Sequence, residues 1–223
     1  MFKPTSTKAV IFDMDGTLVD NMPFHKIAWL RFLSNHKINL TPEEFDEQNY
    51  GNIDEIVRRF FGEDMSDDKI KILGQEKEKA YRDLYRNHVK EINGLTDFLH
   101  KLSDLDIKAA IATMGDTPNI DFILDELGIR PYFHSITGGH EVSRGKPDAE
   151  IFELSLKKLN LKNHECIVIE DSIGGVLSAI QAGIDVIGIT TSHTSGELKK
   201  NGCIYTIHDY TDIDLDSIIK VKR

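Results

Sequence analysis

Acidic residues follow two apolar segments of the chain, at points where strands would end. The apolar run Ala9–Phe12 is followed by Asp13 and Asp15, and a second apolar run is followed by Glu170 and Asp171. Residues two apart along an extended chain point the same way, so Asp13 and Asp15 would face one side. Ligands of open α/β sheets bind beyond the carboxyl ends of the strands, so we expect these carboxylates to meet in one cleft. The alternative, a simple turn after the strand, accounts for one Asp and the glycine that follows but not for the second pair.

Four carboxylates in one cleft would repel one another unless a cation compensated their charge. Mg²⁺ is a hard cation that prefers oxygen ligands and commonly accompanies phosphates in proteins. We therefore predict a magnesium site formed by Asp13, Asp15, Glu170 and Asp171.

Two further residues are suited to bind a phosphate group. Thr113 ends another apolar run, where its hydroxyl and nearby backbone N–H groups can donate hydrogen bonds to phosphate oxygens. Lys146 precedes Pro147, and we expect a helix over residues 147–159 whose N-terminus attracts negative charge. Each feature alone is common, but their occurrence on successive units of one sheet favours a small phosphorylated substrate.

Short, nearly continuous apolar runs predict strands that are buried on both faces, as in a parallel sheet covered by helices. These predicted strands are Ala9–Phe12, Lys108–Ala112, 166–169 and 186–189. Helical spacing between the later runs predicts helices over residues 118–127, 147–159 and 173–182. Alternating strands and helices are typical of a doubly wound (Rossmann-like) α/β domain. An edge strand over 202–207 and a closing helix over 215–220 would complete it.

The segment from residue 21 to residue 91 interrupts this alternation and predicts helices only. The expected helices cover residues 23–35, 42–48, 53–61 and 67–88. Thr41 with Glu44 matches a capping box at the start of the second of these helices. We expect an α-helical cap domain over 21–91, inserted into a catalytic core formed by 1–20 and 92–223.

Composition restricts the class of partner. The formal net charge of −10 argues against non-specific binding to nucleic acid or to a membrane surface. The two cysteines do not make a disulfide framework, and the first residues lack the apolar stretch of a signal peptide. We expect a cytoplasmic, monomeric protein.

The same residues carry a resemblance to a known family. Their order and approximate spacing resemble the four motifs of the haloacid dehalogenase-like (HAD) superfamily: Asp13-x-Asp15-Gly-Thr-Leu, Thr113, Lys146-Pro-Asp and Glu170-Asp171-Ser. A helical insert after the first motif, together with Asp20, His25 and Trp29, is similar to the β-phosphoglucomutase-like branch. The resemblance covers essentially the whole chain.

This resemblance implies a mechanism. Asp13 would be the nucleophile that forms an aspartyl-phosphate, and Asp15 would protonate the leaving oxygen and then activate water. Mg²⁺ would be held by Asp13, by the backbone carbonyl of Asp15 and by the Glu170-Asp171 pair. Thr113 and Lys146 would bind the other phosphate oxygens, and the cap residues expected to select the substrate are His25, Gly51, Asn52 and Lys77.

Three functions fit the resemblance, of which two transfer phosphate and one only binds it. A phosphatase is favoured, because Asp54 and Asp116 stand where a phosphosugar mutase of the β-phosphoglucomutase type would need cations for a second phosphate. Lys77 does match a lysine of the mutase pattern, so the mutase stays the alternative. A non-catalytic phosphate-binding module is the third possibility, which the complete motif set disfavours.

Overall fold

The chain forms two compact units in a computed structural model that describes residues 7–49 and 51–214. One unit comprises the described residues of Met1–Asp20 and Lys90–Arg223, and the other comprises those of Asn21–Val89. The first is an α/β unit and the second is helical. The predicted closing helix over 215–220 lies outside the described residues.

The α/β unit is built on a six-stranded parallel sheet with the order β3-β2-β1-β4-β5-β6. The strands are β1 (Ala9–Phe12), β2 (Lys108–Ala112), β3 (Phe133–Thr137), β4 (Cys166–Glu170), β5 (Asp185–Ile189) and β6 (Tyr205–Ile207). β1 lies in the middle, and Phe12 pairs with Ile111 on one side and with Ile169 on the other. The residues that follow β1, β2 and β4 therefore lie side by side at the carboxyl ends of the strands.

The helical unit contains α1 (Met22–Asn35), α2 (Pro42–Asp46), α3 (Ile53–Phe61) and α4 (Asp67–Tyr85). Its core is formed by aromatic and aliphatic side chains from all four helices, including Trp29, Phe32, Phe45, Val57 and Leu73. α2 begins at the predicted capping box, in which Thr41 and Glu44 each bond the other's backbone N–H. No helix among the described residues is long and apolar enough to cross a membrane.

The α/β unit carries the helices α5 (Leu95–Asp104), α6 (Thr117–Leu127), α7 (Glu150–Leu159), α8 (Ile173–Gln181) and α9 (Ser195–Lys200). Ile11 joins one apolar cluster with Phe152 of α7 and Val176 of α8. Its neighbour Phe12 points to the opposite face, where its ring meets Phe98 of α5 edge-on at 6.0 Å. Helices thus cover both faces of a parallel sheet, which confirms the predicted doubly wound α/β fold with an inserted helical segment.

The predicted helix over 147–159 was wrong at its start, because α7 begins only at Glu150. The carboxylate of Asp148 accepts a hydrogen bond from the backbone N–H of Glu150 at 3.0 Å, which holds the preceding residues outside the helix. Pro147 is therefore not in the first turn, and Lys146 does not adjoin the N-terminus of α7. The expected anion attraction by that helix terminus does not apply to Lys146.

Other departures are smaller. β3, α5 and α9 were not predicted, and several predicted elements are shorter: α2 ends at Asp46, α4 ends at Tyr85 before a 3₁₀ turn, α8 ends at Gln181, and β6 covers only Tyr205–Ile207. β3 is an edge strand of sequence Phe-His-Ser-Ile-Thr whose residues are mostly half-buried. A strand covered less completely needs no continuous apolar run, so the pattern that identified β1 and β2 is absent from it.

Candidate active site

Three buried carboxylates meet at the carboxyl ends of β1 and β4. Asp13 follows β1, and its backbone N–H donates to the carbonyl of Ile169 in β4 at 3.0 Å. This pairing continues the sheet register by one residue and brings Asp13 beside Glu170 and Asp171. Ligand oxygens of these three side chains lie within 4.8 Å of one another. The sheet register thus assembles the group from two distant parts of the sequence.

The ammonium group of Lys146 binds two of these carboxylates. Its Nζ lies 2.5 Å from Asp13 Oδ1 and 2.6 Å from Glu170 Oε1. Lys146 belongs to the loop before α7, and its side chain is only 8% exposed. Burial opposes its charge, but the attraction of Asp13 and Glu170 is greater and raises the pKa of Lys146 above its usual range. The lysine is therefore a permanent cation in the site.

One lysine does not compensate the whole cluster. Burial, followed by the charges of Glu170 and Asp15, raises the pKa of Asp13 to about 8 even though Lys146 acts in the opposite direction. Burial and the neighbouring Glu170 and Asp13 also raise the pKa of Asp171 well above its usual range. A further cation would be needed to keep all three carboxylates ionised.

The donor set fits a magnesium ion. All the ligand atoms are carboxylate oxygens, which Mg²⁺ prefers, and three carboxylates against one ammonium leave two negative charges that a divalent cation would balance. The residues that would hold it are Asp13, Glu170 and Asp171. The side chain of Asp15 is not part of this group, and the predicted contribution of Asp15 is its backbone carbonyl.

Two glycines make room for the carboxylates. At Gly175 in α8, an added Cβ would lie 1.5 Å from Glu170 Oε1, so any larger residue would displace that side chain. At Gly16 a Cβ would lie 2.1 Å from Asp171 Oδ2, and the positive φ of 81° there also favours glycine. Glu170 is held further by Ser172, whose backbone N–H and Oγ both donate to Oε2.

Asp15 and Thr113 face the same loop from two strands. Gly115 lies between them, since a Cβ added there would be 3.7 Å from Asp15 Oδ2 and 3.3 Å from Thr113 Oγ1. The hydroxyl oxygen of Thr113 accepts the N–H of Gly115 at 3.0 Å, so its own hydrogen is left to donate elsewhere. Asp15 is half-buried, in contrast to the buried Asp13. Together they place a carboxylate and a hydroxyl near Gly115, and the charge of Asp15 also acts on Asp13.

Two of the four candidate substrate residues lie together in the helical unit. Lys77 is 1% exposed, and its Nζ lies 2.9 Å from His25 Nδ1 and 2.7 Å from Glu78 Oε1. The ammonium also lies 4.9 Å from the centre of the Trp29 ring, which adds a cation–π interaction. Glu78, the partly buried counter-charge of Lys77, was not identified from the sequence.

The other two candidates have structural roles in the helical unit. Asn52 caps α3, and its Oδ1 accepts the backbone N–H of Glu55 at 3.0 Å. Gly51 adopts a φ of +94°, where an added Cβ would lie 2.3 Å from Glu55 Oε2. Of the acidic residues weighed against a mutase, Asp54 lies exposed in the first turn of α3. Asp116 caps α6 by accepting the N–H of Asn119 at 2.9 Å.

Sequence reasoning missed the loop after β5. Thr191 donates a hydrogen bond to the carbonyl of Gly16, Ser192 donates to Asp171 Oδ2, and His193 Nδ1 donates to the backbone carbonyl of Asp171. The run Thr-Thr-Ser-His-Thr follows a buried strand that pairs directly with β4. That polar run at a strand end was the available signal.

Comparison with known proteins agrees with this geometry. The sequence profile of the family described as haloacid dehalogenase-like hydrolase matches residues 10–189, which include the residues of the carboxylate cluster and Lys146. The chain belongs to this family. The expectation of an enzyme of this hydrolase family is confirmed.

Individual relatives and one solved structure extend this finding. A "phosphorylated carbohydrates phosphatase" of Thermotoga maritima is 31% identical over 198 residues, which cover 85% of this chain and 88% of the relative. The β-phosphoglucomutase of Bacillus subtilis is 27% identical over 194 residues, which cover 82% of this chain and 83% of the relative, and it supports the predicted branch. A crystal structure of a "HAD hydrolase, family IA, variant 3" from Entamoeba histolytica has a TM-score of 0.88 at 29% identity and covers 96% of this chain and 98% of its own.

Proposed function

We propose that this protein is a magnesium-dependent phosphatase that hydrolyses a sugar phosphate or similar small phosphorylated metabolite through an aspartyl-phosphate on Asp13. The observation that carries the proposal is the position of Asp13 in the cluster, buried beside Glu170 and Asp171 and bonded to Lys146. A carboxylate can attack phosphorus only if it is ionised and its charge is screened from that of the phosphate. The buried lysine, together with a metal held by the three carboxylates, would meet both needs.

Two aspartates would carry out the reaction, Asp13 as nucleophile and Asp15 as acid and base. The Asp13 carboxylate attacks phosphorus as the bond to the leaving oxygen breaks, and Asp15 transfers a proton to that oxygen. Asp15, now ionised, takes a proton from water as the water attacks the phosphorus of the aspartyl-phosphate, which releases inorganic phosphate and restores both side chains. Bound Mg²⁺ would screen charge and stabilise the transferring phosphoryl group. Thr113 and Lys146 would hold the remaining phosphate oxygens.

The helical unit would supply the substrate selectivity. We propose that His25 and Lys77 contact the leaving group, and that Gly51 and Asn52 act by shaping the start of α3. The carbohydrate phosphatase among the relatives supports a sugar phosphate as substrate. The assignment of this unit as a cap domain, the cytoplasmic location and the monomeric state stay predictions.

A phosphosugar mutase is the second candidate. It is supported by the B. subtilis relative and by the buried cation Lys77. Glu78 weakens it, because its carboxylate lies 2.7 Å from Lys77 and offsets the charge that a second phosphate would require.

Two assays separate the candidates. Phosphate release should be measured over a panel of sugar phosphates, nucleotides and pyrophosphate, with MgCl₂ or with EDTA, and we expect metal-dependent release from sugar phosphates. Conversion of β-glucose 1-phosphate to glucose 6-phosphate should be measured with and without added glucose 1,6-bisphosphate. Bisphosphate-dependent conversion that outpaces phosphate release would overturn the phosphatase proposal in favour of the mutase.

A further inference from the structure

The loop after β5 contacts both segments that carry the proposed metal ligands. Thr191 Oγ1 donates to the carbonyl of Gly16 at 2.5 Å, so it holds the turn that follows Asp13. Ser192 Oγ donates to Asp171 Oδ2, and His193 Nδ1 donates to the backbone carbonyl of Asp171 at 3.1 Å. These three consecutive side chains therefore connect the end of β1 to the end of β4. The proposed reaction assigns none of them a role.

The contact from Ser192 differs from its neighbours because it acts on a carboxylate oxygen. Thr191 and His193 bond backbone carbonyls and so fix the main chain, whereas Ser192 fixes the rotation of the Asp171 side chain. Asp171 is 3% exposed, and its Oδ2 also packs against Gly16, where a Cβ would lie 2.1 Å away. Its carboxylate group is thus held at one oxygen from two directions.

Groups that hydrogen-bond a metal ligand without touching the metal orient the ligand and tune its affinity for the ion. A carboxylate that is free to rotate loses side-chain entropy when it binds a cation, and a hydroxyl bonded to one oxygen reduces that cost. Ser192 meets this description for the proposed ligand Asp171.

We propose that Ser192 is a positioning residue for the metal site, which holds Asp171 Oδ2 so that Oδ1 is the oxygen given to the cation. This inference rests on the magnesium site of the proposed function. The loop after β5 would then have a role in metal binding that is separate from nucleophilic attack and from proton transfer.

Ser192 is an exposed residue, so its replacement leaves no cavity in the core. Ser192→Ala removes only the hydroxyl, and Ser192→Thr restores it. Ser195→Ala is a matched control, because it removes a serine hydroxyl three positions later that bonds Thr206 Oγ1 at 2.7 Å rather than Asp171.

The test measures metal affinity in two ways on the full chain. One measurement is the MgCl₂ concentration that gives half-maximal hydrolysis of p-nitrophenyl phosphate. The other is the rise in melting temperature on titration of MgCl₂ alone, which needs no turnover. For Ser192→Ala we expect the half-saturating MgCl₂ concentration to rise by about tenfold, at the lower end of the 10–100-fold effect typical of such contacts. We expect kcat at saturating MgCl₂ to stay near that of the wild type.

The variants test the role of Ser192, and the wild type tests the metal site on which that role depends. Recovery in Ser192→Thr, with Ser195→Ala unchanged, supports the inference. The inference is overturned if Ser192→Ala has the MgCl₂ dependence of the wild type, or if kcat falls while that dependence stays the same. If the wild type itself responds to MgCl₂ in neither measurement, the proposed metal site is wrong and the role of Ser192 fails with it.

Discussion

Replacement of Asp13 by Asn should change how the stability of the metal-free protein depends on pH. Burial raises the pKa of the Asp13 carboxyl from its ordinary 3.8 to about 8 in the folded protein. Between about pH 6 and pH 8 the folded protein therefore holds a proton that the unfolded chain has already lost, and its free energy of unfolding falls as pH rises. Because Asn cannot ionise, the free energy of unfolding of Asp13→Asn should lack this decrease with rising pH.

The size of the effect follows from the proton difference. A full proton bound only by the folded state changes the free energy of unfolding by about 1.4 kcal/mol per pH unit. With a folded pKa of about 8 for Asp13, the loss between about pH 6 and pH 8 is about 2 kcal/mol. For a chain of this length that corresponds to about 4–8 °C in melting temperature. The melting temperature of Asp13→Asn should therefore rise by this amount relative to that of the wild type between about pH 6 and pH 8.

The assay is thermal unfolding in EDTA at a series of pH values, and the quantity of interest is the difference in melting temperature between wild type and variant. Asp83→Asn is the control, because Asp83 is an exposed carboxyl whose pKa is lowered by its hydrogen bond to Lys79, so it is ionised throughout the interval. A difference between wild type and Asp13→Asn that is independent of pH, or that changes in the opposite direction, would refute the assignment of Asp13 as a buried, proton-binding carboxyl.

Three further outcomes are expected. Lys146→Met should abolish measurable phosphatase activity and lower the free energy of unfolding, measured by chemical denaturation in metal-free buffer, by about 3–5 kcal/mol. The reason is that it leaves buried carboxylates without their counter-charge. Near-wild-type stability would contradict the ion cluster. Gly16→Ala should weaken the response to MgCl₂ in thermal shift because its Cβ meets Asp171, whereas Gly128→Ala, with a similar positive φ and nothing within 4 Å, should cost only backbone strain of about 1 kcal/mol and leave that response intact. MgCl₂ should raise the melting temperature more at about pH 8 than at about pH 6, because the cation binds the ionised carboxylates; an equal rise at both pH values would contradict the ligand set.

The strands at the centre of the sheet were predicted closely because they are buried on both faces. β1 and β2 have the bounds that their apolar runs indicated, since every position that faces a covering helix must be apolar. β3 lies at the sheet edge and mixes His and Ser with its apolar residues, so no short-range pattern identified it. Burial, and therefore predictability, falls from the centre of the sheet to its edge.

The acidic residues of the site were predictable because they lie directly at strand ends, where chain position determines location in the fold. The hydrogen-bond partners of these acidic residues were less predictable. Lys146 bonds both Asp13 and Glu170 because of the path of the loop before α7. That path was not predicted, since the predicted start of the helix was wrong. The contact between Ser192 and Asp171 joins residues 21 apart and depends on β5 pairing with β4. Such contacts follow from tertiary register rather than from local sequence.

In the proposed reaction the phosphoryl group passes first to Asp13 and then, with the help of Asp15, to water. A stopped-flow measurement on Asp15→Asn with p-nitrophenyl phosphate, whose leaving group needs no proton, separates the first transfer from the second. We expect a rapid burst of about one nitrophenolate per active site, followed by near arrest because the aspartyl-phosphate is no longer hydrolysed efficiently. The burst should disappear when Asp13→Asn is added to the same variant. Steady turnover by Asp15→Asn without a burst, or a burst that survives loss of Asp13, would show that Asp13 is not the nucleophile or that Asp15 does not activate water.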